Sequence, residues 1–196
     1  MNLALFDFDG TITFKDTFTE FIFYSVGPKK LRLGKLLLSP FILAYKLKLL
    51  SGPTMRALIV RYAYSRQSTT TLKHQGQNFS QSFLPKVIRT NAQEEIDRHK
   101  KLGNKIVIVS ASLDLYLAPW CEANGFDLIC SCLESKDGKY TGGYYGGDCT
   151  GHMKAQRVKE KYDLSSFDKI YAYGDTAEDQ QLLELADERY MCWTKI

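Results

Sequence analysis

Three short apolar runs constrain this chain more than any other feature: LALFDFDG from Leu3, KIVIVSAS from Lys105 and KIYAYGD from Lys169. Each is apolar for a few residues and then turns to small or acidic ones. Continuous apolar runs of that length suit strands covered on both faces, as in a parallel sheet; a sheet with one wet face would show alternation. Helix-type stretches lie between them, NAQEEIDRHKKLG with Gly103 as its stop signal and GHMKAQRVKEKYD around Lys154. Strand and helix in this order predict an open α/β sheet. Ligands in such sheets sit at the carboxyl ends of the strands, so Asp7, Ser110 and Asp175 are expected on one rim.

Residues 14–90 read differently. They are almost free of strand pattern, rich in Leu, Phe, Tyr and Lys, and broken at Gly27-Pro28, Ser39-Pro40, Gly52-Pro53 and Pro85, which predicts several short helices inserted after the first strand. The expected division is therefore a core of residues 1–13 and 91–196 with a helical insertion of residues 14–90. That insertion carries thirteen Lys and Arg against Asp16 and Glu20, a net +11, while the rest of the chain is net −7. A basic face of this kind gathers anionic partners. The stretch CSCLESKDGKYTGGYYGG, with Asp137-Gly138 and paired glycines, is expected to form a hairpin or flap. The five cysteines include no C-x-x-C pair, and Asp7 interrupts the first apolar run too early for a secretory signal, so a reduced, cytoplasmic setting is the expectation.

Acidic residues at the strand ends carry the chemistry. Asp7 and Asp9 stand two apart in D-F-D-G-T, where Gly10 allows a tight turn and Thr11 offers a hydroxyl and a backbone N–H. An inert pair could merely close a turn, but like charges this close repel unless a cation offsets them. Asp175 and Asp179 follow another strand in GDTAED and open a helix-type stretch, where they could serve only as a cap and a first-turn charge. Parallel strands would bring all four acids together, and an all-oxygen carboxylate cluster suits Mg²⁺. Lys154 could balance that charge, and Ser110, with its neighbouring backbone N–H groups, could hold an oxyanion.

D-F-D-G-T, a strand ending in Ser110, a helical Lys154 and G-D-x-x-x-D, in that order, resemble the haloacid dehalogenase superfamily of phosphohydrolases. The helical insertion after the first motif resembles the cap of its phosphoserine phosphatase-like subgroup. The resemblance implies a Rossmann-like core and an all-helical cap. It also implies that Asp7 is the nucleophile forming an aspartyl-phosphate and that Asp9 is the general acid and base. Mg²⁺ would be held by Asp7, Asp175, the Asp9 backbone carbonyl and Asp179, with Ser110 and Lys154 steadying the phosphoryl group. Thr11, Asp16, Arg56, Arg61 and Ser112 are the candidate substrate contacts. Asp16 stands where serine-specific members carry a glutamate, which argues against phosphoserine.

The segment PKKLRLGKLLLSPFILAYKLKLLSG, residues 28–52, flanks an apolar middle with basic clusters. Its longest charge-free run, Leu36 to Tyr45, has ten residues, against roughly 20 needed to span a bilayer. It suits helices lying on an anionic membrane surface, or a cap filling its own core with leucines. Cap composition resembles phosphatidylglycerophosphate phosphatase-type members, so a lipid-linked phosphate is the favoured substrate. A soluble metabolite phosphatase of the phosphoserine or histidinol-phosphate kind is the enzymatic alternative. A non-catalytic membrane or nucleic-acid binding module is the other; the segment has no base-reading motif, which disfavours nucleic acid.

Overall fold

The computed structural model describes residues 1–196. Its elements, in chain order, are β1 (Leu3–Phe6), α1 (Thr17–Ser25), α2 (Pro28–Leu37), α3 (Ser39–Lys46), α4 (Gly52–Tyr64), α5 (Thr69–Ser82), α6 (Thr90–Lys101), β2 (Lys105–Leu113), α7 (Asp114–Asn124), β3 (Asp127–Lys136), β4 (Lys139–Tyr145), α8 (His152–Lys161), β5 (Ile170–Gly174), α9 (Gln180–Leu183), β6 (Glu188–Met191) and β7 (Thr194–Lys195). The seven strands form one sheet in the order β4-β3-β2-β1-β5-β6-β7. Pairing is parallel from β3 through β6, while β4 and β7 add antiparallel at the two edges.

Both faces of the central strands are dry. Ala4, Phe6, Ile106 and Ile108 join a cluster of 29 buried apolar residues on one face, and Leu3, Leu5, Val107 and Val109 join a cluster of 12 on the other. The two-residue period of a strand sends neighbours to opposite faces, and a run that is apolar at every position therefore needs cover on both. The larger cluster continues without a break into the helical insertion through Phe21, Tyr64 and Phe79.

β1 is central because β2 and β5 both pair with it, with Phe6 opposite Ile108 on one side and Tyr173 on the other. The ends of these three strands therefore lie side by side. The hairpin forms as expected from β3 and β4, turning at Asp137-Gly138 with both residues at positive φ. The helix expected after Asp175 is shorter than its pattern suggests. Ala177–Asp179 form a 3-10 turn and only Gln180–Leu183 are α-helical. A capping box opens this segment, in which Thr176 Oγ1 accepts from the Glu178 N–H while Asp179 accepts from the Thr176 N–H. Thr176, not Asp175, is thus the cap.

Candidate active site

Asp7 follows directly on β1, where its backbone N–H donates to the Tyr173 carbonyl of the next strand at 2.9 Å. The strand cannot bend away, so the side chain is delivered to the rim, 5% exposed. Lys154, on the first turn of α8, reaches the same point and donates to Asp7 Oδ1 at 2.5 Å and Asp179 Oδ1 at 2.6 Å. Asp179 spends its other oxygen on the backbone N–H groups of Asp175 and Thr176, each at 3.1 Å. Asp7 and Lys154 stand 147 positions apart in the chain, yet a buried ammonium bridges two buried carboxylates.

Asp175 completes the group. One carboxylate oxygen from each of Asp7, Asp175 and Asp179 lies within 4.8 Å of the others. Gly10, at φ +87°, passes against Asp175 so closely that a Cβ there would stand 2.0 Å from its Oδ2. Only a residue without a side chain permits that approach, and Thr11 Oγ1 closes the other side at 3.5 Å from Asp175 Oδ1. Three carboxylates and one ammonium leave a net negative site of hard oxygen donors, which fits Mg²⁺.

Asp9 stands apart from this cluster. Its Oδ1 accepts from Thr17 N–H at 2.7 Å and Thr17 Oγ1 at 2.5 Å, and its Oδ2 accepts from Ser112 Oγ. The side chain is thereby pinned between the first turn of α1 and the end of β2, leaving only the Asp9 backbone carbonyl for the metal role expected of this residue. Thr17 Oγ1 also contacts Tyr116 Oη at 3.2 Å, in the buried floor of the site. Ser110 is buried, and its Oγ accepts from the Ser112 N–H at 3.0 Å. The strand runs on past Ser110 to Leu113, with an irregularity in its pairing between those residues that turns Ser110 and Ser112 to the rim.

Burial dominates the electrostatics. It raises the Asp7 carboxyl to about 7, against the pull of Lys154 and with a further push from Asp179. Burial also raises Asp9 to about 6, opposed by the Ser112 and Thr17 hydrogen bonds. Asp175 moves up through burial and the nearby Asp179. For Lys154, burial pulls downward but Asp7 and Asp179 outweigh it, and the ammonium stays charged. The two carboxyls thus sit in different environments, Asp7 facing a cation and Asp9 facing hydroxyls.

These residues open onto a cavity of about 450 Å³ that Asp7, Asp9, Ser110, Ser112, Lys154 and Asp175 share with the inserted helices. Asp16 lines it as the exposed cap of α1, its carboxylate accepting from Thr19 N–H and Oγ1. Arg56 lines it from α4 and is held by Asp148, with Nε to Oδ2 at 2.7 Å, and by Glu178 at 3.6 Å. Burial draws the Arg56 guanidinium down and Asp148 more than restores it. Thr11 is buried beside Asp175 but does not line the cavity. Arg61 is exposed, with its backbone against Gly142 of β4, and the structure does not bring it to the cavity. Thr17, Asp148 and Glu178 are the participants that the sequence reading passed over. For Thr17 a signal existed, because Asp16 as a helix cap sets Thr17 in the first turn facing back toward Asp9.

Residues 4–184 match the family described as haloacid dehalogenase-like hydrolase. The chain belongs to that family. Protein CicA of Caulobacter vibrioides is 34% identical over 189 residues, covering 95% of this chain and 84% of CicA. Among solved structures, a protein of unknown function from Bordetella pertussis Tohama I superposes with a TM-score of 0.77 at 21% identity, over 97% of this chain and 89% of that one. A phospho-aspartyl intermediate analogue of phosphoserine phosphatase gives 0.65 at 19% identity, over 96% and 85%. These two likenesses establish the α/β fold with its helical insertion. No helix is long and apolar enough to cross a membrane.

Proposed function

We propose that this hydrolase is a Mg²⁺-dependent phosphomonoesterase that works through an aspartyl-phosphate on Asp7, with residues 1–13 and 91–196 as catalytic core and 14–90 as cap. The observation that carries this reading is the pairing of a Lys154-bound Asp7 with an Asp9 turned aside into Thr17 and Ser112. A dehalogenase has no use for a second carboxyl held ready to move protons. A phosphomonoester has, because its alkoxide leaving group needs one.

In the first step an Asp7 oxygen bonds to phosphorus as the P–O bond to the leaving group breaks, and Asp9 gives that oxygen its proton. In the second step Asp9 takes a proton from water, the water oxygen bonds to phosphorus, and the bond to Asp7 breaks to release phosphate. Lys154 and Ser110 orient the phosphoryl oxygens. Mg²⁺ held by Asp7 and Asp175, with Asp179 and the Asp9 carbonyl, supplies positive charge that offsets the crowded anions. Para-nitrophenyl phosphate is the probe: wild type hydrolyses it in Mg²⁺ and Asp7→Asn does not. Equal turnover by Asp7→Asn would overturn the nucleophile assignment.

For the substrate we favour a lipid-linked phosphate met at an anionic membrane surface. Supporting this, Leu36, Leu37, Leu43, Leu47 and Leu49 are all more than half exposed on α2, α3 and the turn that follows. They are interspersed with Lys29, Lys35, Lys46 and Lys48, and the chain has no acid between Glu20 and Glu94. Aliphatic residues at headgroup depth with a basic fringe match such a surface. Vesicle co-sedimentation tests it: the protein pellets with anionic but not zwitterionic liposomes at low salt, and retention by neither refutes the surface.

A further inference from the structure

A second cavity, about 460 Å³, lies inside the inserted helices and is walled by Ile22 of α1, Val26 just after it, Leu31 of α2, Ile42 of α3 and Tyr62 of α4. It adjoins the first: Phe18, Thr19, Tyr45, Met55 and Ile59 line both, so only these side chains stand between the apolar chamber and the space above Asp7 and Asp9. No carboxylate lines the chamber, and its two charged members are Lys35 and Lys46.

The chamber is built rather than left over from loose packing. On its outer side α2 is fixed to α4 by Tyr62 Oη donating to the Lys30 carbonyl at 2.7 Å and Lys30 Nζ donating to the Ala63 carbonyl at 2.7 Å. Gly34 lets the helices meet there, since a Cβ at that position would stand 2.4 Å from the Tyr62 ring. The inner wall, α1, is anchored in the large apolar cluster through Phe21 and Ile22. Burying no residue of its own, α3 covers the chamber only lightly.

The geometry points to this chamber as the binding site for an apolar chain on the leaving group of the substrate, a phosphomonoester whose tail lies among the cap helices while its phosphate reaches Asp7. The inference rests on the phosphomonoesterase reading and adds the site that selects among such esters. A hydrophilic leaving group would leave these walls exposed to water, whereas an aliphatic chain gains their contact. A cavity of this volume with apolar walls and a polar end is of the kind that encloses a small amphiphile.

The test is a series of straight-chain monoalkyl phosphates, ethyl to decyl, each below its aggregation concentration, assayed by phosphate release in Mg²⁺. Each methylene taken up by the chamber gains about fourfold in kcat/KM, so the series rises by more than a hundredfold from ethyl to octyl and levels where the chamber is full. Ile42→Trp fills it, and lowers the octyl-to-ethyl ratio at least tenfold. Leu38→Trp, on the same wall, gives the same readout should the first variant fail to fold. Ethyl and octyl phosphates turned over within threefold of each other, with activity lost in Asp7→Asn, would refute the chamber and leave the phosphatase reading standing. No turnover of any member by wild type would refute both.

Discussion

Replacing Asp7 by Asn should make the metal-free protein more stable. Asp7 has an ordinary carboxyl value of 3.8 when unfolded and is raised to about 7 in the fold. A folded value above the unfolded one means that the fold disfavours the ionised form. The stability contribution is complete below about pH 4 and is lost as pH rises toward 7. Each pH unit across that interval costs about 1.4 kcal/mol, so wild type gives up on the order of 4 kcal/mol by pH 8 and less than half of that by pH 5. Asp7→Asn keeps an oxygen to accept from Lys154 and carries no charge to desolvate, and Asp179 remains to pair the ammonium. Urea unfolding in EDTA at pH 5, 6, 7 and 8 reads the difference. With a slope of about 2 kcal/mol per molar, the variant midpoint exceeds that of wild type by about 2 M at pH 8. Added Mg²⁺ narrows the gap by stabilising wild type. An Asp7→Asn midpoint at or below wild type at pH 8, or a gap that does not widen with pH, would show that burial does not govern this site.

Asp9→Asn should lower kcat on octyl phosphate by about 10²–10⁴-fold and on para-nitrophenyl phosphate by much less, since nitrophenolate leaves without a proton; equal losses would remove Asp9 from proton transfer to the leaving group. Gly10→Ala, forced against Asp175 at positive φ, should abolish the rise in melting temperature that Mg²⁺ gives wild type, and an unchanged rise would take Asp175 out of the metal site. His99 is buried between Tyr173 Oη and Asn104, and burial lowers it to about 4. The unfolded chain therefore binds a proton that the fold refuses, and stability falls as pH drops from about 6.5 toward 4, by up to about 3 kcal/mol. His99→Gln should reduce that slope in denaturant titrations, whatever it costs in absolute stability.

Much of the site was legible because its parts are local. Asp7, Ser110 and Asp175 each follow an apolar run short enough to be only a strand, and parallel pairing then leaves one rim for all of them. Lys154 was found through charge balance, and the structure makes it the bridge between Asp7 and Asp179. What escaped depends on contacts across long stretches of chain. Arg56 was a candidate, but its partner Asp148, 92 residues away, was not, because neither sequence neighbourhood signals the other. Arg61 has the same helical context and charge as Arg56, yet lies five residues on along α4, with its backbone against the hairpin and the residue exposed. Asp179 serves the capping box through one oxygen and Lys154 through the other, a double role that helix periodicity does not register. The apolar chamber was hidden for another reason: leucines that fill a core and leucines that surround a space have the same pattern.

Thr17 carries a consequence for any attempt to transplant the helical insertion. It belongs to the inserted segment by position, yet its N–H and hydroxyl hold the Asp9 carboxylate. A chimera joined directly after Thr13 would bring in a foreign first turn and leave the Asp9 carboxylate without these two donors, however well the donor helices pack. A seam placed beyond Thr19 instead keeps the opening turn of α1, and with it the hold on Asp9, while exchanging the rest of the inserted helices.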